Sequence, residues 1–245
     1  MSIKKQIPNI ITAANLFCGC LALTFIAKGD MQIASLLVLG GAFFDFFDGM
    51  AARLLKVTSP MGAEMDSLAD VVTFGVAPAY MAFELLQKGS LPEWMPYLAF
   101  LIAVFSAFRL AKFNVDDRQT DSFIGIPTPA NALFWISIPL MVWQTKSGFE
   151  WIDTSSISYF FKKIPTIYFF IFLLSYALVA ELPLLSLKFK NLSWKGNENR
   201  FILLLASVLL IALFVFAAIP FILLLYFILS LIENSRSNYV VQSRD

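Results

Sequence analysis

Apolar segments long enough to cross a lipid bilayer follow one another along almost the whole chain of 245 residues. A spanning helix needs about 20 predominantly apolar residues, and only helices or closed barrels satisfy their backbone polar groups inside lipid. Six such segments lie near residues 10–28, 31–56, 63–88, 93–113, 129–146 and 159–187, and a seventh runs over 201–232. The sequence therefore predicts an all-α fold, a polytopic transmembrane helical bundle.

The composition excludes several other classes of protein. Hydrophobic residues make up 59% of the chain and charged residues only 14%, whereas a soluble domain is about 45–50% apolar and about 25% charged. The formal net charge of +1 provides no basic field for nucleic acid. Histidine is absent from the sequence, which excludes a Ser-His-Asp triad and a His-ligated zinc. Cys18 and Cys20 cannot face each other on one helix, so we expect them to be unpaired apolar fillers.

The last apolar segment is longer than one membrane crossing requires. Residues 201–232 are interrupted only by Pro220, which suits two short spans that reverse near residues 218–220, or one long tilted helix. With two spans, thirteen of the 18 Lys and Arg residues lie on the side of the N-terminus, and with one span eleven do. The positive-inside rule therefore favours eight spans, six core helices plus two C-terminal ones, with both termini in the cytoplasm.

Four aspartates lie within or at the ends of the second and third apolar segments, where charge is costly. A mid-membrane Asp costs roughly 2.5–3.5 kcal/mol on insertion scales. Asp45 and Asp48 are three residues apart and Asp66 and Asp70 four apart, so each pair lies on one face of its helix. The turn over residues 58–62 joins the two helices as an antiparallel hairpin, which lets the two pairs converge.

Converging carboxylates with few competing donors are typical of a site for hard divalent cations. Carboxylates suit Mg²⁺ or Mn²⁺, and Mg²⁺ is usually held together with substrate phosphates. Two such ions about 3.5–4 Å apart form the usual clamp for displacement at phosphorus. Arg53 lies toward the cytoplasmic end of the same helix, where it can bind a phosphate, and Gly49 leaves room for a ligand. The residues therefore indicate metal-assisted phosphoryl or phosphodiester transfer at the cytoplasmic face.

Two alternatives to an enzyme stay open at this point. A divalent-cation channel or transporter would also use carboxylates, but Arg53 would repel the ions and the glycine positions would have no role. A structural or assembly protein would give no reason for the carboxylate cluster.

The same residues resemble the signature of the CDP-alcohol phosphotransferases, which reads D-x2-D-G-x2-A-R-x8-G-x3-D-x3-D. The chain matches every fixed position, with Asp45, Asp48, Gly49, Ala52, Arg53, Gly62, Asp66 and Asp70. The resemblance covers about residues 5–135, and beyond them only the hydropathy agrees. It implies that an acceptor hydroxyl attacks the lipid-linked phosphorus of a CDP-alcohol in line and that CMP leaves.

The resemblance also implies a role for each aspartate. Asp45 and Asp66 would bridge two divalent cations, Mg²⁺ or Mn²⁺, while Asp48 would bind the first ion. Asp70 would bind the second ion and act as general base on the acceptor hydroxyl.

A second group of residues matches the family's contacts with the CDP-lipid. It combines an N-terminal stretch, which nearby Thr12 and Asn15 would support, with positions on and after the second helix. Its members are Pro8, Asn9, Ile10, Ile11, Gly49, Arg53 and Ser59.

Four further segments look like those of the integral membrane phosphatidylserine synthases within this family. They are IPNIITAANLFCGCLAL at 7–23, FGVAPAY at 74–80, FRLAKFNV at 108–115 and FIGIPTPAN at 123–131. This resemblance implies CDP-diacylglycerol and L-serine as substrates. A basic side chain would bind the serine carboxylate; the candidates are Arg109 and Lys112, with Asn114 and the loop 125–128 as pocket walls. Glycerol 3-phosphate, inositol phosphate, choline and ethanolamine stay open as acceptors, although a phosphorylated acceptor would require more basic residues near the site.

The resemblance also bears on organisation and location. It predicts a catalytic membrane domain over residues 1–190, followed by a C-terminal transmembrane hairpin and cytoplasmic tail over residues 191–245. It further implies a homodimer, in the cytoplasmic membrane of a bacterium or an archaeon.

Overall fold

The fold is built almost entirely from helices. The computed structural model describes residues 3–57, 59–115, 123–185, 193–194 and 196–242. In these ranges the α-helices are α1 (Ile3–Ala27), α2 (Met31–Leu55), α3 (Pro60–Asp70), α4 (Ala77–Gln87), α5 (Leu101–Val115), α6 (Thr128–Ser147), α7 (Ser155–Phe161), α8 (Ile164–Val179), α9 (Glu198–Phe214) and α10 (Ala218–Gln242). A π-helix (Val71–Val76) joins α3 to α4, and 3₁₀ helices (Met95–Phe100 and Val215–Ala217) precede α5 and α10. Two short antiparallel strands, β1 (Phe123–Ile124) and β2 (Pro183–Leu184), complete the fold.

The apolar helices confirm the predicted class of fold. Five helical stretches in the described ranges are long and apolar enough to cross a membrane, and the bent pair of α7 and α8 gives a sixth. The chain is therefore an all-α, integral membrane helical bundle, while the eight spans stay a prediction. Helix α6 runs through the middle of the bundle, where Trp135, Ile136 and Leu140 are fully buried.

The sixth predicted span, residues 159–187, is shorter and more irregular than its hydropathy indicates. Helices α7 and α8 meet at an angle of 66°, because Pro165 at the start of α8 has no N–H to continue the helix from α7. Helix α8 ends at Val179, and Ala180 takes an extended conformation with ψ 141°. The following residues pair with β1 as β2, so this apolar stretch crosses from helix to strand.

The last apolar segment folds back on itself. Val215 lies in an unusual conformation, with φ 50° and ψ −116°, and ends α9. Near the other ends of the two helices, Asn199 Nδ2 donates to Glu233 Oε2 over 2.7 Å, and Arg200 lies 3.7 Å from the same carboxylate. Helices α9 and α10 therefore form an antiparallel hairpin that turns at residues 215–217, a few residues before the predicted turn.

The hairpin is attached to the rest of the bundle through Gln144 on α6. Its Nε2 donates to the Phe214 carbonyl over 3.1 Å, and its Oε1 accepts from the Phe216 N–H over 2.9 Å. These bonds satisfy backbone groups that the break between α9 and α10 leaves without helical partners. The predicted domain boundary at residues 190 and 191 lies outside the described residues, so the division into two domains stays a prediction.

Helices α1 and α2 pack closely against the π-helix, next to the region that contains the aspartates. A methyl group on Gly41 would lie 2.6 Å from Thr73 Cγ2 and 2.9 Å from Asn15 Oδ1. One on Gly19 would lie 2.4 Å from Thr73 Oγ1. Only glycine at these two positions permits the helices to come this close. The close packing places Asn15 on α1 beside the end of α3. Cys18, on the same helix, is a free thiol, as is Cys20.

Candidate active site

Three of the four predicted aspartates converge at the hairpin of α2 and α3. Ligand oxygens of Asp45, Asp48 and Asp66 all lie within 4.8 Å of one another. Helix α2 ends at Leu55, and the left-handed conformation of Lys56 (φ 52°) reverses the chain toward α3. The spacing inferred from the sequence thus produces the expected geometry, with one pair of aspartates on each arm of the hairpin.

The electrostatics of this cluster suit a divalent cation. Asp48 is buried and Asp45 and Asp66 are half-buried, so their negative charges repel one another with little screening. Asp66 Oδ1 is buried, and no described residue gives it a hydrogen bond. Within the described ranges, no Lys or Arg forms an ion pair with any of the three. An oxygen ligand set of this kind fits Mg²⁺ or Mn²⁺.

Asp70 lies one helical turn beyond Asp66 and has a different environment. It is buried, and Asn15 Nδ2 donates to its Oδ1 over 3.2 Å. It does not belong to the set of oxygens within 4.8 Å of one another, so its role as a ligand stays a prediction. The π-helix begins at the next residue, and π-turns are frequent at functional sites. Asp70 is therefore a fixed carboxylate beside the cluster.

A hydroxyl group on α1 orients one of the clustered carboxylates. Thr12 Oγ1 lies 2.6 Å from Asp48 Oδ2, to which it donates, and 3.0 Å from the Pro8 carbonyl. Thr12 is buried. The contact is of the kind by which neighbouring groups hold metal-binding carboxylates in place.

We expect Thr12→Val to weaken Mn²⁺ binding about 10–100-fold, the usual effect of losing an orienting partner of a metal ligand. The change keeps the side-chain shape and removes the hydroxyl that donates to Asp48 and lies 3.0 Å from the Pro8 carbonyl. Isothermal titration with Mn²⁺ measures the affinity. Thr24→Val is the matched control, because Thr24 lies on the same helix and donates only to the Leu21 carbonyl. Equal affinities of the two folded variants would contradict the assignment.

An open cavity of about 210 Å³ adjoins the aspartate cluster. Its walls come from α1, α2 and the start of α3. The lining residues are Pro8, Asn9, Thr12, Asp48, Gly49, Ala52, Val57, Ser59, Gly62, Ala63 and Asp66. Four of the predicted CDP-lipid contacts thus lie in its wall: Pro8, Asn9, Gly49 and Ser59.

The other predicted CDP-lipid contacts lie around this cavity. Arg53 folds its guanidinium back along α2, so that a methyl group on Gly49 would be 3.6 Å from Arg53 Nη1. Ile10 is 66% exposed and does not line the cavity, and neither does Ile11. The contacts of Ile10 and Ile11 with a CDP-lipid stay predictions.

The N-terminus of α3 points toward the cavity, which was not predicted from the sequence. Ser59 caps α3, its Oγ accepting from the Gly62 N–H over 3.0 Å, and both residues line the cavity. The positive dipole end of α3 therefore lies at this cavity, where it favours a negatively charged ligand such as a phosphate. The Ser-Pro sequence at 59–60 is a recognisable helix start and could have indicated this orientation.

The three residues predicted to bind an acceptor lie in three different settings. Arg109 is buried, and its Nε donates to the Ile126 carbonyl over 2.6 Å. Lys112 forms an ion pair of 3.1 Å with Glu181. Asn114 exchanges hydrogen bonds of 3.0 and 3.3 Å with Ser67, next to Asp66.

These features define a class of protein: a polytopic helical membrane protein with a carboxylate metal site beside a phosphate-sized cavity. The chain matches the family model of the CDP-alcohol phosphatidyltransferases over residues 5–232. It therefore belongs to this family of membrane-bound transferase enzymes. The match runs well past residue 135, where the recognisable motifs end, and includes α9 and the part of α10 up to residue 232.

Several similar proteins share the name CDP-diacylglycerol–serine O-phosphatidyltransferase. The Bacillus subtilis protein is 36% identical over 165 residues, which cover 65% of this chain and 93% of that protein. The Helicobacter pylori protein is 38% identical over 136 residues, or 55% of this chain and 57% of that protein. The Methanocaldococcus jannaschii protein is 36% identical over 137 residues, or 55% of this chain and 62% of that protein. The matched region thus spans nearly all of the first relative and about three fifths of the other two.

Proposed function

We propose that the protein transfers the phosphatidyl group of CDP-diacylglycerol to the hydroxyl of L-serine, giving phosphatidylserine and CMP. The observation that carries the chemistry is the convergence of Asp45, Asp48 and Asp66 beside a cavity lined by four of the predicted CDP-lipid contacts. The choice of serine is supported by the shared name of relatives from two bacteria and an archaeon.

The four aspartates would hold two divalent cations, Mg²⁺ or Mn²⁺. Asp45, Asp48 and Asp66 supply oxygens close together, and Asp70 adds a carboxylate one turn along α3. When bound, such ions neutralise the charge of the diphosphate and of the departing CMP. Arg53 and the N-terminus of α3 would contribute further positive potential at the phosphates.

Asp70 would act as the general base. Its carboxylate takes the proton from the serine hydroxyl while that oxygen forms a bond to the lipid-linked phosphorus. The bond from this phosphorus to the oxygen of CMP breaks, so no covalent intermediate with the protein forms. Asn15 holds one carboxylate oxygen through its Nδ2, which orients Asp70. Asn15 and Thr12 would thus each orient one aspartate from α1.

Arg109 would bind the carboxylate of serine. It is a buried guanidinium on α5, a helix that packs against the π-helix directly after Asp70, so the two groups could bind the carboxylate and the hydroxyl of one small molecule. Lys112 and Asn114, which lie further along α5, would form the outer wall of this acceptor pocket. We further propose that the site faces the cytoplasm and that the protein forms a homodimer in a bacterial or archaeal cytoplasmic membrane.

The experiment that tests the proposed function measures CMP release by the purified protein. With CDP-diacylglycerol and Mn²⁺ or Mg²⁺, we expect release to depend on L-serine and not on glycerol 3-phosphate, inositol phosphate, choline or ethanolamine. Excess EDTA should abolish release and added Mn²⁺ or Mg²⁺ should restore it.

Two other outcomes would change the assignment. CMP release with a different acceptor would support the phosphatidyl-transfer reaction but would show that the acceptor is not serine. No release with any acceptor, from protein shown to be folded, would favour the alternative of a divalent-cation transporter, which uptake of Mn²⁺ into proteoliposomes would then test.

A further inference from the structure

Among the described residues, the Arg109 guanidinium has one hydrogen-bond acceptor, a backbone carbonyl, and one aromatic contact. Its Nε donates to Ile126 O over 2.6 Å, and its guanidinium lies 5.5 Å from the centre of the Phe113 ring. The described residues provide no hydrogen-bond acceptor for Nη1 and Nη2, and no ion pair with Asp70 within 4.0 Å. The two terminal nitrogens are therefore free to bind a ligand carboxylate, at a place that Ile126 determines.

Ile126 belongs to a loop that is fixed by the end of α8. The Ile126 N–H donates to Ala177 O over 3.0 Å, and the Gly125 N–H donates to Leu182 O over 2.9 Å. Gly125 has φ 76°, and a methyl group on it would lie 2.6 Å from Leu178 O. Strand β1, just before this loop, pairs with β2. The carbonyl that holds Arg109 is therefore placed by residues 177–184.

Residues 180–185, which we name the strap, are in turn held by α10. The Tyr226 hydroxyl donates to Leu185 O over 3.1 Å, and the Leu185 N–H donates to Ser230 Oγ over 3.0 Å. Tyr226 and Ser230 are both buried, at 7% and 1% exposure. Both backbone groups of Leu185 are thus bound by side chains of one helix, one turn apart on the same face.

The strap is also attached to the helix that carries Arg109. Lys112 on α5 forms its ion pair with Glu181, the second residue of the strap. The strap therefore connects three elements: α10 through Leu185, the loop 123–126 through Leu182 and β2, and α5 through Glu181.

We infer that α10 positions Arg109 through the strap and the Ile126 carbonyl, which makes Tyr226 and Ser230 positioning residues for the acceptor's carboxylate. This inference rests on the proposed function, in which Arg109 binds that carboxylate. The α9–α10 hairpin lies outside the residues 5–135 that carry the recognisable motifs. It would thus give this chain a means of setting acceptor affinity without touching the metal or nucleotide sites.

A positioning role and a merely structural role predict different kinetics. If α10 determines the position of the Arg109 guanidinium, losing a hydrogen bond from α10 to the strap should raise the KM for serine. The KM for CDP-diacylglycerol should not change, because no residue of the strap lines the cavity at α1, α2 and α3. If α10 only stabilises the fold, kcat and both KM values should change together, with a fall in the melting temperature.

The test uses the full chain in lipid nanodiscs and the variants Ser230→Ala and Tyr226→Phe. Each removes one hydrogen bond to Leu185, and we expect a rise of about three- to tenfold in the KM for serine. The kcat and the KM for CDP-diacylglycerol should stay within about twofold of the unaltered protein. Ser230→Thr keeps the hydroxyl and should restore the KM. Ser207→Ala, on α9 of the same hairpin, is the matched control.

A double-mutant cycle tests whether the effect passes through Arg109. Arg109→Lys keeps the charge but removes the Nε donor to Ile126. In that background, Ser230→Ala should change the KM for serine less than about twofold, because residues that act through one another are not additive. Full additivity, or an unchanged KM in folded Ser230→Ala and Tyr226→Phe, would overturn the inference.

A second readout does not depend on the acceptor. Hydrogen exchange of the Gly125 and Ile126 amides should be faster in Ser230→Ala than in Ser207→Ala, because these amides bond to the strap and α8. If CMP release depends on an acceptor other than serine, the assignment of serine is wrong. The KM for that acceptor is then compared with the KM for CDP-diacylglycerol in the same variants. Equal exchange in the two folded variants would overturn the inference for any acceptor.

Discussion

Replacing Asp70 with Asn is expected to lower acceptor-dependent CMP release by about 10²–10⁴-fold, the usual contribution of a positioned general base. The change is nearly isosteric, and the new amide oxygen can still accept from Asn15 Nδ2, so the packing around α3 and the π-helix should persist. What is lost is the carboxylate that takes the proton from the attacking hydroxyl, together with its proposed contribution to holding a cation. Initial rates with radiolabelled CDP-diacylglycerol, at saturating serine and Mn²⁺, measure the loss.

The control for this variant is Asp30→Asn. Asp30 caps the far end of α2 by accepting from the Ile33 N–H over 3.1 Å, and Asn is an equally good capping residue. It should therefore retain full activity. Binding of CDP-diacylglycerol, measured as the rise in melting temperature on adding it, should be similar in both variants. An Asp70→Asn enzyme that retains more than about a tenth of the rate would contradict the role of Asp70 as base.

The carboxylate cluster could be predicted from the sequence because its geometry is local. Spacings of three and four residues fix each aspartate pair on one helix face, and the short turn after Lys56 can only bring the two helices back side by side. The cost of charge inside a membrane makes these positions conspicuous among apolar neighbours. The structure adds that ligand oxygens of Asp45, Asp48 and Asp66 all lie within 4.8 Å of one another and that Asp70 is not part of this set.

The surroundings of Arg109 could not be predicted in this way, because its contacts are distant in the sequence. The hydrogen bond to Ile126 spans 17 residues and the ion pair of Lys112 with Glu181 spans 69. Hydropathy also treated residues 159–187 as one span, although Pro165 and the pairing of β2 divide it. Local periodicity contains no information about which carbonyl or strand a distant residue will meet.

The hydrogen bonds from α1 to the aspartates could be predicted only in part from the sequence. Thr12 and Asn15 could be noticed as polar residues in an apolar helix, three residues apart and thus on one face. The sequence did not indicate that each would bond to a different aspartate, Asp48 and Asp70. That assignment follows from the close approach of α1 and α2 at Gly41, a packing property of the folded bundle.

Asp66→Asn should have opposite effects on the metal-free and the metal-loaded protein. Without metal, three carboxylates within 4.8 Å repel one another, and Asp66 Oδ1 is buried without a hydrogen-bond partner among the described residues. Removing one negative charge relieves this repulsion. With metal, the same change removes a ligand, and a protein that binds its ion only when folded gains stability in proportion to that binding.

We therefore expect the metal-free Asp66→Asn protein to melt at a higher temperature than the unaltered protein, and to gain little or nothing from added Mn²⁺. Its Mn²⁺ affinity should fall more than about 100-fold, beyond the effect of losing an orienting partner, and CMP release should be lost. Glu64→Gln, an exposed position on the same helix, is the matched control and should keep the Mn²⁺-dependent rise in melting temperature. A full Mn²⁺-dependent rise in Asp66→Asn would show that the ion binds elsewhere. A lower melting temperature of its metal-free form would show that the three carboxylates do not strain the fold.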